Sequence, residues 1–171
     1  MSKTLYIKKI ASPLGMITAA SDGENLTGLW FEGQKHFGST LSGPCEEKDL
    51  PVFRQVCEWL NIYFSAEIPA FTPPIRLEGT IFQLSVWKTL KTIPYGHTIT
   101  YGEIAKALER QNGTNRVCAR AVGGAVGRNP VSIIIPCHRV IGTNGGLTGY
   151  AGSADKKAFL LRIENADFKA E

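Results

Sequence analysis

Hydrophobic positions in the first third of the chain come in short runs. Residues 4–11 (TLYIKKIA), 15–21 (GMITAAS) and 26–32 (LTGLWFE) are rich in β-branched and aromatic residues, the composition of strands. Between them stand SPLG and DGEN, in which glycine supplies positive φ and proline fixes φ. Three strands joined by tight turns predict an antiparallel meander. A glycine-rich loop follows, and then the period changes. From Pro51, a residue suited to the first helical position, Val52, Phe53, Val56, Cys57, Leu60, Tyr63 and Phe64 fall on one helical face, which should pack on the sheet. The stretch IPAFTPPIRLEG (68–79) holds three prolines and no helical period, so it reads as a linker. This places a domain boundary at residue 79, with an N-terminal domain over 1–79 and a C-terminal domain over 80–171.

The second half is patterned for helices. TIFQ at 80–83 is a Thr-x-x-Gln capping box, opening a helix that Pro94 should end. Thr100 and Glu103 form a second box, and behind them Ile104, Ala105 and Leu108 are spaced for burial. After a polar loop with Asn112-Gly113 comes NRVCARAVGGAVGRN, a helix for which Asn115 is the expected N-cap. Two short helices joined by a turn predict a helix-turn-helix. Gly123 and Gly124 inside the second helix cost roughly 1 kcal/mol each against alanine, so another surface should approach closely. That surface is either a packed neighbour within the fold or a groove of DNA, for which Arg116, Arg120 and Arg128 would supply charge. Arg120, between Ala119 and Ala121, would then be the one long side chain.

Candidate chemistry sits in NPVSIIIPCHRVIG (129–142). Val131 to Ile135 reads as a buried strand. Cys137 and His138 follow. Thiolate is the reactive form of cysteine, and a neighbouring imidazole or hydrogen-bonded relay is the usual way to favour it. Adjacency alone is insufficient, because successive side chains of an extended chain point to opposite faces. The bend at Pro136 must reshape the backbone for the pair to cooperate.

Composition narrows the class. With 171 residues, 43% hydrophobic and 20% charged, the chain can bury one sizeable core or two small ones, which argues against disorder. No apolar run approaches a membrane span, and MSKTLYIKKIA lacks the apolar core of a signal peptide, so a cytoplasmic protein without membrane contact is expected. Cys45, Cys57, Cys118 and Cys137 show no C-x-x-C spacing, so neither a metal site nor a disulfide framework is expected. Charge is split unevenly: residues 1–79 carry 7 Lys and Arg against 9 Asp and Glu, whereas residues 80–171 carry 12 against 6. The second half could face a polyanion.

PCHRVIG, preceded by RAVGGAVGRNPVSIII and followed by GLTGYAG and LLRIE, resembles the active-site region of the O6-alkylguanine-DNA alkyltransferases, also called methylated-DNA-protein-cysteine methyltransferases. The likeness runs through residues 80–165 and is looser before them. It implies an α+β fold: a ribonuclease-H-like β-sheet domain with a helix, then a mostly helical DNA-binding domain. It also implies single-turnover transfer of an alkyl group from O6-alkylguanine to Cys137, with no cofactor; O4-alkylthymine is left open as a substrate. His138 would take the thiol proton through a water and Glu164 would orient the imidazole. Asn129 would bond backbone around the cysteine, and Tyr101 would meet guanine N3 or the nearby phosphate. The carbonyls of Cys137 and Val140 would accept from the exocyclic amine, the Ala151 amide would donate to the departing oxygen, and Tyr150 would form the wall. Arg120 would fill the base stack vacated by the flipped nucleotide, with Ala119, Ala121, Gly123, Arg116 and Arg128 along the DNA. The implied partner is double-stranded DNA bound by a monomer, with cooperative binding left open. Three positions depart from the family pattern: Ala151 stands where some members have Ser, Ser153 stands where a glycine is frequent, and the turn ERQNGTN (109–115) is long. A cysteine hydrolase would share the relay but turn over through a thioester. A binding-only DNA module would share the helix pair, but relatives of that kind lack the cysteine of PCHR.

Overall fold

β-branched runs and turn signals generate a sheet in the computed structural model, which describes residues 3–113, 116–147 and 149–169. β1 (Leu5–Ser12), β2 (Gly15–Ser21) and β3 (Leu26–Phe31) form the expected meander, with Ile10 opposite Ile17 and Ala19 opposite Leu29. Inside the expected loop lies a further strand, β4 (Cys45–Glu47), parallel to β1, so the order is β3-β2-β1-β4. Its three residues are exposed, and backbone pairing at an edge leaves no hydrophobic signature to read.

α1 (Pro51–Phe64) begins at proline as expected and packs on β2. Its buried face is Val52, Phe53, Val56, Trp59, Leu60 and Tyr63. Cys57 and Phe64 lie at the edge of that face, only partly buried, while Trp59 stacks on Tyr63 with centroids 5.3 Å apart. The proline-rich stretch is tied down: the Leu26 amide donates to the Pro74 carbonyl (2.7 Å) and the Arg76 amide to the Leu26 carbonyl (3.0 Å). Extended backbone next to proline suits such a one-sided ladder.

The run expected as a buried strand is buried but is not a strand. Val131 makes a single parallel bridge to Leu29, with the Leu29 amide on the Pro130 carbonyl (2.8 Å) and the Ser132 amide on the Leu29 carbonyl (2.9 Å). The chain then turns, with Ile133 at φ 68 and the Ile134 amide on the Ser132 carbonyl at 2.8 Å. Positive φ is rare for a β-branched residue and costs on the order of 1–3 kcal/mol. Side-chain burial across a tight turn compensates here: Val131, Ile133 and Ile135 are at most 1% exposed. Hydrophobic content alone does not distinguish such a turn from a strand.

By its contacts the chain divides into two compact units, one running to Leu77 and including Pro130–Ile134, the other comprising Glu78–Asn129 and the chain from Ile135 onward. In the second, α2 (Ile81–Leu90) and α3 (Tyr101–Asn112) both start with complete capping boxes. α2 stops short of Pro94, at Lys91, and α3 ends at Gly113 in the left-handed conformation (φ 57), the usual glycine stop. α4 (Ala119–Gly127) packs against α2 and α3, fixed by the Trp87 indole donating to the Ala125 carbonyl at 2.9 Å. Asn115, the expected N-cap of this helix, lies outside the described residues; the helix starts at Ala119 with Cys118 at the cap. The Val117 amide is engaged by the Glu109 carboxylate at 2.6 Å, which holds that residue outside the first turn. Two-residue strands β5 (Ile99–Thr100) and β6 (Val140–Ile141) pair in parallel. α5 (Ala154–Ile163) closes the unit, Ala158 and Leu161 packing with Ile141 and Leu147. Among the described residues no helix is long and apolar enough to cross a membrane.

Candidate active site

The bend required at Pro136 is an inverse γ-turn. Pro136 has φ −81 and ψ 64, and the Cys137 amide donates to the Ile135 carbonyl at 2.8 Å. This turn ends the extended alternation and starts a single 3-10 turn, Cys137–Arg139, closed by the Val140 amide on the Cys137 carbonyl. One lone pair of that carbonyl is therefore already used. Cys137, His138 and Arg139 are 5%, 0% and 9% exposed. Asn129, at the end of α4, sends its side-chain amide to the Ile135 carbonyl (2.9 Å) and also hydrogen-bonds the Cys137 sulfur. Burial pushes the Cys137 thiol up, opposed by the Asn129 bond, by Lys157 and by the backbone amides of Cys137 and His138.

Beside the cysteine lies a carboxylate saturated with donors. Glu164, the C-cap of α5, receives His138 Nε2 at 2.7 Å, Arg139 Nε and Nη2 at 2.9 and 3.0 Å, and the Gly96 amide at 3.1 Å. Burial pushes its carboxyl up, but the bonds from His138 and Arg139 outweigh burial and hold it at about 2. Burial pushes His138 down, against the pull of Glu164. A neutral imidazole facing a carboxylate through Nε2 carries its proton there, so Nδ1 holds the lone pair that can accept a proton.

On the other side are two tyrosines. Tyr101, the first residue of α3, is half-buried, and burial lifts its hydroxyl to about 12. A Cβ on Gly149 (φ 82) would lie 2.7 Å from that hydroxyl, so only glycine fits the loop there. Tyr150 is half-buried with its hydroxyl enclosed, its ring facing Lys157. Val140 is buried in β6, and Ala151 lies half-buried in the turn before α5. Ser153, which caps α5, has φ 114, a backbone region glycine occupies more readily.

Arg116, Ala119, Arg120, Ala121 and Arg128 are all exposed on or beside α4. A Cβ on Gly123 would meet only the Tyr101 ring at 3.7 Å, and one on Gly124 would meet nothing within 4 Å. Packing inside the fold therefore does not require glycine at 123 or 124, so the first explanation offered by the sequence, a close-packed neighbour within the fold, does not account for them. All four cysteines are free thiols, and among the described residues no cluster of His, Cys, Asp or Glu could hold a metal ion.

Two buried charges escape the sequence reading. Arg139, besides its fork onto Glu164, donates to the Ile93 carbonyl at 2.6 Å; it stands within PCHR, yet only the fold brings Glu164 to it. Lys157 is completely buried on α5. Its signal was present: residues 157, 160, 161 and 164 are spaced for one helical face, which puts a lysine in line with Leu160, Leu161 and Glu164.

Comparison with known proteins agrees with this arrangement across both units. Residues 5–77 match the ribonuclease-like domain of 6-O-methylguanine DNA methyltransferase, and residues 81–166 match its DNA-binding domain. Methylated-DNA--protein-cysteine methyltransferase of Methanosarcina acetivorans is 45% identical over 95% of this chain and 99% of its own length. The protein of that name from Haemophilus influenzae is 40% identical over 96% of this chain and 88% of its own. Among solved structures, Mycobacterium tuberculosis OGT in complex with DNA superimposes with a TM-score of 0.80 at 42% identity, covering 95% of this chain and 92% of that one. A cysteine beside a carboxylate-held imidazole, on a ribonuclease-like and a helical DNA-binding domain matched in order, means that this chain belongs to the 6-O-methylguanine DNA methyltransferase family.

Proposed function

We propose that this protein repairs DNA directly, moving the alkyl group of O6-alkylguanine in double-stranded DNA onto Cys137, once per molecule. The observation that carries this reading is the Cys137 thiol held by Asn129 beside a neutral His138 whose Nε2 is committed to Glu164. The thiol proton passes to His138 Nδ1 through a water, and the sulfur attacks the alkyl carbon. The S–C bond forms, the C–O bond breaks, and guanine departs as an anion that takes up, through water, the proton His138 holds. The product is a thioether that water does not hydrolyse. This displacement needs no cofactor. The Cys137 and Val140 carbonyls, the Ala151 amide, Tyr101 and the Tyr150 wall recognise the flipped base. Arg120 fills the stack, while Ala119, Ala121 and Gly123 let α4 approach and Arg116 and Arg128 meet phosphates. We assign this chemistry to residues 80–171 of a monomer working in the cytoplasm, where its thiols stay reduced.

The test is incubation with a duplex containing O6-methylguanine. The expected result is a gain of about 14 Da on the Cys137 peptide, as thiolate methylation requires, and no gain in Cys137→Ser. Methyl on another residue, or continued turnover, overturns the reading. Arg120→Ala should slow reaction with duplex far more than with the free alkylated base, because only duplex demands extrusion of the nucleotide. Equal loss on both would move Arg120 from the DNA into the pocket.

A further inference from the structure

Lysines ordinarily keep their ammonium in water by extending the stem along the surface. Lys157 cannot, being 0% exposed. It also lies in the first turns of α5, where the positive end of the helix dipole disfavours a cation. Two aromatic faces enclose it: Nζ is 6.0 Å from the Tyr101 ring centroid and 5.9 Å from that of Tyr150. The Tyr150 hydroxyl nearby is buried without a hydrogen-bond partner among the described residues. The lysine charge interacts with the Cys137 sulfur. An apolar side chain of the same length would relieve the cost of burying this charge, so a role at the sulfur explains why a lysine is kept.

We propose that the Lys157 ammonium, enclosed by the Tyr101 and Tyr150 rings, is the counter-charge of the Cys137 thiolate and positions the reacting sulfur as a nucleophile. This rests on Cys137 being the alkyl acceptor. When the thiol proton leaves toward His138, the anion on sulfur is paired with Lys157, which keeps its own proton throughout. When the S–C bond forms and the C–O bond breaks, sulfur becomes a neutral thioether and the ammonium loses its counter-charge. The titratable groups facing Lys157 are Tyr101 from α3, Tyr150 from the loop before α5, and Cys137 and His138 from the 3-10 turn. Burial holds both tyrosines neutral by raising them and His138 neutral by lowering it. Cys137 and His138 are the partners whose charges change during the reaction, and of the two only the sulfur becomes an anion that the ammonium can pair.

The deciding experiment uses Lys157→Met and methyl iodide, an alkylating agent small enough to report thiolate without DNA, with methylation of Cys137 read by peptide mass spectrometry across pH. Loss of a nearby opposite charge should slow Cys137 methylation at neutral pH about tenfold or more and move the midpoint of its pH profile upward. Thermal unfolding should be unchanged or occur at higher temperature. An unmoved midpoint overturns the proposal, even if the rate falls by one factor at every pH, because that pattern describes a packing role. The wild-type protein supplies a second reading that needs no variant to fold. The Lys157 ε-methylene resonance should titrate at lower pH after Cys137 is methylated, and identical titrations before and after overturn the proposal. Since neither measurement involves DNA, failure of the wild-type protein to take methyl from an O6-methylguanine duplex would sink the proposed function separately.

Discussion

The two ends of α5 carry buried charges, each of the sign its helix dipole disfavours: Lys157 near the positive N-terminus and Glu164 at the negative C-terminus. They are compensated differently. Glu164 receives donors from His138, Arg139 and Gly96 and is held at about 2, a fixed charge at neutral pH. Lys157 faces two rings and a thiol, and burial brings it down to about 8, opposed by Cys137. One end is built to be immovable and to orient an imidazole. The other responds to the state of a sulfur atom. The contrast shows that burial alone does not decide whether a charge is structural; the chemistry of the groups around it does.

Breaking the fixed end should have the largest effect. Arg139→Met leaves Glu164 buried with neutral donors only, its guanidinium partner gone, and removing one member of a buried pair typically costs about 3–5 kcal/mol. Urea unfolding should show that loss, and His138 should become easier to protonate because a competing cation is removed.

Acid titration comes next. The folded value of Glu164 lies below the usual 4.5, so the unfolded chain binds more protons and this contribution is complete above about pH 4.5. It should be lost as pH falls toward 2, on the order of 3 kcal/mol in total. In Glu164→Gln the dependence over that window should flatten.

At the responsive end the sign reverses. Lys157 is lowered from 10.5 to about 8 when folded, so the unfolded chain holds its proton more firmly between those values. The Lys157 contribution to stability should therefore rise with pH through that window, on the order of 2–3 kcal/mol, and the rise should vanish in Lys157→Met. Matching pH dependences in variant and wild type would remove the contrast between the two ends.

The smallest effect concerns the cap. Ser153→Gly relieves a residue at φ 114 while giving up a long 3.4 Å bond to the Lys156 amide. A net gain of about 0.5 kcal/mol is expected, since a glycine cap loses only a few tenths. Thermal unfolding of the variant checks it.

Local rules determined much of this protein from its sequence. The meander follows from strands joined by tight turns, the start of α1 from the fixed φ of Pro51, and the capping boxes Thr80–Gln83 and Thr100–Glu103 from bonds three residues apart. The PCHR cysteine was legible too, because a thiol beside an imidazole is unusual chemistry and the surrounding pattern resembles a known family. Tertiary structure alone decided the rest. β4 pairs through exposed backbone, and Val131–Ile135 turns where composition favoured a strand, because Leu29 takes the Pro130 and Ser132 hydrogen bonds and Asn129 holds the Ile135 carbonyl. Arg139 reached Glu164 across 25 residues, and Lys157 reached Tyr101 from another helix. Charges look alike in a sequence whether solvated or buried. What separates them is the low-dielectric surroundings that only the packed chain creates.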